Sequence, residues 1–214
     1  MRTIGVLGGM GSYASLQFFD CLLKNTESDT NRPHILINNA TNIPSRTRAV
    51  LYNEESPVKQ TIIEINNLEK AGADFIVCPC NSLHYWYKEI SEGINIPWIN
   101  MIEVVSKKST GNTLILGGYI TSKMKLYNEY ISCTYLDNQK LLNDLISDIK
   151  KYNTSLLQYK LVKEIRGVEE FITNVILACT ELSIIKRYLT NMINVPVIDS
   201  SYEYAKETIK YANE

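Results

Sequence analysis

Short apolar runs alternate along this chain with longer stretches whose apolar residues recur at helical spacing. The runs Thr3–Leu7, His34–Asn38 and Asp74–Cys78 read as buried strands. Ile96-Pro97-Trp98-Ile99-Asn100 reads as a short fourth strand. A helix is predicted from about Tyr13 to Lys24. Another runs from Pro57 to Lys70, where Ile62, Ile63, Ile65 and Leu68 supply an apolar face, and a third follows Cys80 through Ile90. Asn39 to Arg48 reads as a polar loop.

The pattern then repeats. Thr113–Leu116 is a strand followed by Gly117-Gly118, as Thr3–Leu7 is followed by Gly8-Gly9. Tyr130–Leu136, Asn174–Ala178 and Val195–Asp199 complete a second set of strands. Cys80 and Cys179 are 99 residues apart, and so are Pro97 and Pro196. Two equal offsets argue for a duplication more strongly than either motif does alone. Strands that alternate with helices predict an α/β fold with parallel sheets. The halves fall at 1–98 and 99–202, with residues 203–214 completing the first half as a C-terminal helix. A cleft is expected between them.

Charge and composition exclude some classes. The 22 basic and 23 acidic residues leave a net charge of −1, so no bulk attraction to nucleic acid or to an anionic membrane is expected. No apolar run approaches the ~20 residues of a membrane-spanning helix. The N-terminus reads as a first strand rather than a signal peptide. A cytoplasmic protein follows by default, with its five cysteines reduced.

The candidate chemistry sits at Cys80 and Cys179. Each ends an apolar strand and precedes a polar residue, Asn81 or Thr180, at the start of a helical pattern. The C-terminal ends of strands are where α/β sheets bind ligands. Two thiols facing one substrate can invert a carbon centre: a thiolate removes the α-proton from one face and a thiol delivers one to the other. This scheme requires no cofactor. A free thiol has a pKa of about 8.5, so the pair needs activation by nearby donors.

Other readings stand beside this one. Cysteine usually packs, and Cys21, Cys78 and Cys133 are read that way. Cys78, Cys80 and His84 do not have a usual zinc spacing, so no metal site is expected. His84 follows Cys80 by about one helical turn and either faces the cleft or is a satisfied structural histidine. The turn Gly8-Gly9-Met10-Gly11 does not fit the dinucleotide fingerprint. A small carboxylate or a structural role suits it better.

These motifs resemble those of the cofactor-independent aspartate/glutamate racemases, within a broader group that includes hydantoin racemase and maleate isomerase. Gly8-Gly9-Met10-Gly11 is similar to the family's GGMGP, and Ile43-Pro44-Ser45-Arg46-Thr47 to its PDRT loop. Cys80-Asn81-Ser82-Leu83-His84 resembles CNTAH, Cys179-Thr180-Glu181-Leu182 matches CTEL, and Val195 to Ser200 resembles VPVIDS. The resemblance runs end to end. It implies two flavodoxin-like domains related by a pseudo-twofold, with the substrate between them, and a homodimer. It implies Cys80 and Cys179 as the acid/base pair and Arg46 as a contact to a substrate carboxylate. It puts Asn81, Ser82, Thr121 and Thr180 around the α-carboxylate and amine, and Met10 on the pocket wall. For the family's cationic side-chain contact the candidates are Lys150 and Lys151, and the role stays open between them. Gly117-Gly118-Tyr119-Ile120-Thr121 departs from the family's A-T-x-x-T turn and keeps only the last threonine.

The expected activity is racemisation of a small acidic amino acid, aspartate before glutamate. Two alternatives remain: a maleate-type isomerase in which one cysteine attacks carbon, and a non-catalytic protein that binds an acidic metabolite.

Overall fold

The computed structural model describes residues 1–26, 31–151 and 156–214. The first half contains β1 (Ile4–Gly8), α1 (Ser12–Lys24), β2 (Ile35–Asn39), α2 (Arg46–Tyr52), α3 (Val58–Lys70) and β3 (Phe75–Val77). A 3₁₀ turn over Asn81–Trp86 leads into α4 (Tyr87–Ser91), and α5 (Met101–Ser106) follows. The second half contains β4 (Thr113–Gly117), α6 (Tyr119–Lys123), β5 (Cys133–Tyr135), α7 (Gln139–Lys150), α8 (Leu157–Arg166) and β6 (Asn174–Ala178). A second 3₁₀ turn over Thr180–Ile185 leads into α9 (Lys186–Met192), β7 (Val197–Asp199) and α10 (Ser200–Asn213).

Both sheets are parallel and share one strand order, β2-β1-β3 in the first half and β5-β4-β6-β7 in the second. In each, the first strand of its half lies between the second and third. Connections therefore leave in opposite directions from the two central strands, and a crevice opens at their C-terminal ends. The glycine turns follow β1 and β4, and the cysteines follow β3 and β6. The fold thus carries all four motifs to the two crevices.

The predicted strand at Ile96–Asn100 is shorter in the structure. Only Trp98 pairs, in a single bridge to Ile76, with Ile76 N–H donating to Pro97 O at 2.7 Å and Ile99 N–H to Ile76 O at 3.0 Å. Pro97 has no N–H for a longer ladder, and β3 itself stops before Pro79. The predicted polar loop also ends earlier. Ser45 Oγ accepts from Arg48 N–H at 3.3 Å and caps α2, so Arg46 stands in a helix's first turn.

Three clusters of buried side chains hold these layers. A central one joins Ile4, Val6, Phe75 and Val77 of the first sheet to Ile115, Ile176 and Ala178 of the second, through α1, α5 and α10. Alternate residues of the same strands, Leu7 and Ile76 or Leu116 and Leu177, face two outer clusters under α3 and α7. Each fully buried aliphatic side chain contributes about 1.5–3 kcal/mol.

Helix α10 starts in the second half and lies across the first. Asp199 Oδ1 caps it, accepting from Ser201 N–H at 2.9 Å and from Ser183 Oγ at 2.8 Å. Ser200 Oγ donates to Leu177 O at 2.6 Å. Further along, Tyr204 packs on Phe18 and Tyr211 on Phe75, and Arg2 N–H donates to Ala212 O at 2.8 Å. No helix of the described residues is long and apolar enough to cross a membrane.

Candidate active site

Cys80 and Cys179 line one cleft of about 470 Å³, together with Met10, Arg46, Asn81, Ser82, Thr180 and others. Each cysteine is the extended residue just ahead of a 3₁₀ turn. The strand delivers it, and the tight turn at once removes the backbone from its path. All five thiols are free. Among the described residues, no group of three His, Cys, Asp or Glu side chains is arranged to hold a metal ion.

The Cys80 turn is pinned by three buried side chains. His84 Nδ1 lies 2.9 Å from Cys80 O, and His84 Nε2 accepts from Met101 N–H at 3.1 Å. The second bond leaves the proton on Nδ1, which donates to the carbonyl. Burial pushes the imidazole pKa down to about 4, so the ring is neutral. His84 is absent from the cleft wall and acts structurally. Tyr204 Oη donates to Ile99 O at 2.6 Å and accepts from Cys78 N–H at 3.2 Å. Tyr127 Oη donates to Asn81 Oδ1 at 2.7 Å. Cys78 is wholly buried, and burial raises its thiol well above the usual range, as befits a packing residue.

The Cys179 turn is electrostatic. Cys179 Sγ donates to Glu181 Oε2 at 3.0 Å, and Thr180 Oγ1 donates to the same oxygen at 3.4 Å. The other carboxylate oxygen lies 3.1 Å from Lys150 Nζ. Burial and then the Glu181 charge drive the Cys179 pKa well up, against the opposing pull of Lys150. Cys179 is therefore a thiol at neutral pH. Burial works against charge on Lys150, but Glu181 and the two thiol positions outweigh it and raise its pKa.

Arg46 reaches the cleft from the first turn of α2. Its Nη1 donates to Pro44 O at 2.8 Å and Ile43 O at 3.3 Å, and its Nη2 to Met10 O at 3.2 Å. Carbonyls orient a guanidinium without neutralising it, so its charge stays available. Met10 is presented by the first glycine turn. Gly9 has φ +92°, and a Cβ there would lie 2.5 Å from the Ala40 backbone, so only glycine fits. Ser15 Oγ accepts from Gly9 N–H at 3.0 Å, so the turn spends one of its own donors internally.

Thr121 does not stand on the cleft wall, where Gly118 and Tyr119 are found instead. It is fully buried, and a Cβ on Gly117 would meet its side chain at 2.7 Å.

Asn143 and Ile146 are wall residues that the sequence reading did not name, whereas Lys150 is one of the two lysines it did. Asn143, Ile146 and Lys150 lie on one face of α7, and of the two lysines Lys150 borders the cleft. Their signal was an Asn138 cap followed by Leu141, Leu142, Leu145, Ile146 and Ile149 at helical spacing. Glu181 lay inside the motif already read but had been given no role.

Comparison with known proteins agrees with this geometry. The sequence profile of the Asp/Glu/Hydantoin racemase family matches residues 7–208. The chain is 29% identical to the broad specificity amino-acid racemase RacX of Bacillus subtilis (strain 168), over 96% of each chain. It is 29% identical to the aspartate racemase of Picrophilus torridus, with a TM-score of 0.87 over 100% of this chain and 95% of that one. A Francisella tularensis glutamate racemase in complex with D-glutamate shares the fold, with a TM-score of 0.71 at 20% identity, covering 98% of this chain and 80% of that one. The two similar halves and their parallel sheets are those of the racemase fold, and the chain belongs to the Asp/Glu/Hydantoin racemase family.

Proposed function

We propose that this protein interconverts the enantiomers of an acidic amino acid, aspartate first, by proton transfer between Cys80 and Cys179 without a cofactor. The observation that carries the reading is that both cysteines, from corresponding strand ends of the two halves, line one cleft. In the resting form Cys179 is the acid, because its thiol is held protonated by burial and Glu181. Cys80 is then the base. It takes the α-proton from one face while Cys179 delivers its own to the other, and the carbanion's charge spreads onto the α-carboxylate. The product leaves Cys80 as thiol and Cys179 as thiolate, ready for the opposite enantiomer.

The cleft's charges fit such a substrate. Arg46 and Lys150 bring two positive charges, which Glu181 and the Cys80 thiolate balance, so two cations stand in the cleft for the two carboxylates of an acidic amino acid. Asn81 Nδ2 and Thr121 Oγ1 are buried with no hydrogen-bond partner among the described residues, and Asn81 lies in the wall. An unpaired buried donor is costly, and a ligand oxygen in the cleft would relieve that of Asn81, whereas Thr121 stands off the wall. The active form is proposed to be a homodimer, which light scattering on the purified protein tests.

A wider substrate range is the second reading. It is favoured by a cleft of about 470 Å³, which exceeds aspartate, and by the broad-specificity relative. One experiment separates the two. Proton NMR in heavy water follows loss of the α-proton signal and formation of the D-isomer from L-aspartate, L-glutamate and a panel of neutral amino acids. Turnover confined to the acidic pair supports the first reading, and turnover of the neutral set supports the second. No exchange with any of them overturns both.

A further inference from the structure

Fourteen tyrosines are spread along this chain, and the reaction proposed above uses none of them. One occupies an unusual place. Tyr127 belongs to the second half, yet its hydroxyl hydrogen-bonds the side chain of Asn81 in the first, with Oη 2.7 Å from Oδ1. Both residues are buried, Tyr127 completely and Asn81 to 3% exposure. Burial raises the phenol pKa well above its usual range, so the hydroxyl keeps its proton. A buried phenol must give that proton to an acceptor. The amide oxygen of Asn81 is the acceptor it has, and this fixes which way the amide faces. The amide nitrogen is then left with two donors and no partner among the described residues, in a side chain that borders the cleft beside Cys80.

We propose that Tyr127 is a positioning residue that locks the Asn81 amide with Nδ2 committed to a substrate oxygen. A free asparagine amide rotates readily between two orientations that differ only in which end accepts. With the wrong end forward, a carbonyl oxygen would face a substrate carboxylate and repel it. The phenol removes that alternative before substrate arrives, which is preorganisation. Its own position is built into the second half. Lys125 adopts φ 50° in the turn after α6, and Tyr127 N–H donates to Tyr135 Oη of β5 at 3.1 Å. A strand in the second sheet thereby sets a donor at the first sheet's cysteine. The same bond spans the two halves, so the donor is aligned only when they sit in this relationship.

The proposal rests on the racemase reading, and the test separates the two. Tyr127→Phe, Asn81→Ala and the double variant are compared by steady-state racemisation, thermal melting and proton–nitrogen NMR of the side-chain amides. Loss of one orienting hydrogen bond should lower kcat/KM about tenfold in Tyr127→Phe, through KM rather than kcat. In the Asn81→Ala background, Tyr127→Phe should cost nothing further. A lower melting temperature with unchanged KM, or equal losses in both backgrounds, overturns the proposal. If the unmodified protein racemises no acidic amino acid, the functional reading fails and the amide spectrum decides the matter. Asn81 resonances that are sharp in the native protein and shifted or broadened in Tyr127→Phe support the lock. Unchanged resonances overturn it.

Discussion

Glu181 holds the proton of Cys179 in place: Sγ lies 3.0 Å from Oε2, at the boundary of the cleft that Cys80 shares. The carboxylate's other oxygen is engaged by Lys150 at 3.1 Å. Glu181→Gln removes the negative charge that disfavours the thiolate and releases Lys150 to favour it. The Cys179 pKa should fall. Ultraviolet titration of thiolate absorbance, with Cys179→Ser to identify the signal, reads the shift. A titration that stays put or moves up sinks this account of the site.

The two cysteines carry the proton in opposite directions, so losing either stops racemisation. Cys80→Ser and Cys179→Ser should each lower the rate by about 10²–10⁴ and leave the melting temperature nearly unchanged. Because the equilibrium constant between enantiomers is one, kcat/KM must be equal in both directions. Unequal protonation of the thiols therefore has to appear as kcat and KM shifting together between L and D substrates. Progress curves from each pure enantiomer measure this.

Arg46 presents a planar fork aligned by three carbonyl oxygens. Lysine keeps the charge and loses the fork. Arg46→Lys should raise KM for aspartate about tenfold or more, with a smaller change for a neutral amino acid. A ratio of the two KM values that does not move would remove Arg46 from the substrate's side chain.

His84 links stability to pH. Its pKa in the fold is about 4, below the ordinary 6.5, because burial disfavours the charged ring. Between those values the unfolded chain binds the proton and the folded one does not, so stability rises with pH across the window. Acidification from 6.5 towards 4 should cost up to about 3 kcal/mol. Denaturant titrations of the native protein and of His84→Gln over this range should show a weaker slope in the variant. Parallel slopes would contradict the assignment.

Much of this molecule was readable before any coordinates. The apolar runs, the glycine turns and the 99-residue offset mark two parallel-sheet halves and single out Cys80 and Cys179, because buried strands and tight turns impose strong local patterns. Arg46 was legible only through the family's motif, since a loop arginine has no pattern of its own. What escaped was set by distance. Lys150 meets Glu181, and Tyr127 meets Asn81, across separations that no periodicity encodes. The strand at Ile96–Asn100 was overread because apolar content resembles a strand even where proline prevents a ladder.

Helix α10 gives the chain an order of assembly. The core against β1 and β3 includes Tyr204, Ala205, Ile209 and Ala212, all downstream of the second sheet. A half made first on the ribosome cannot close until a segment made after the other half arrives. Domains that complete themselves in sequence fold as they emerge, but here the N-terminal sheet must wait with an apolar face uncovered. Folding of this protein is thus tied to late, long-range contacts, which slow it.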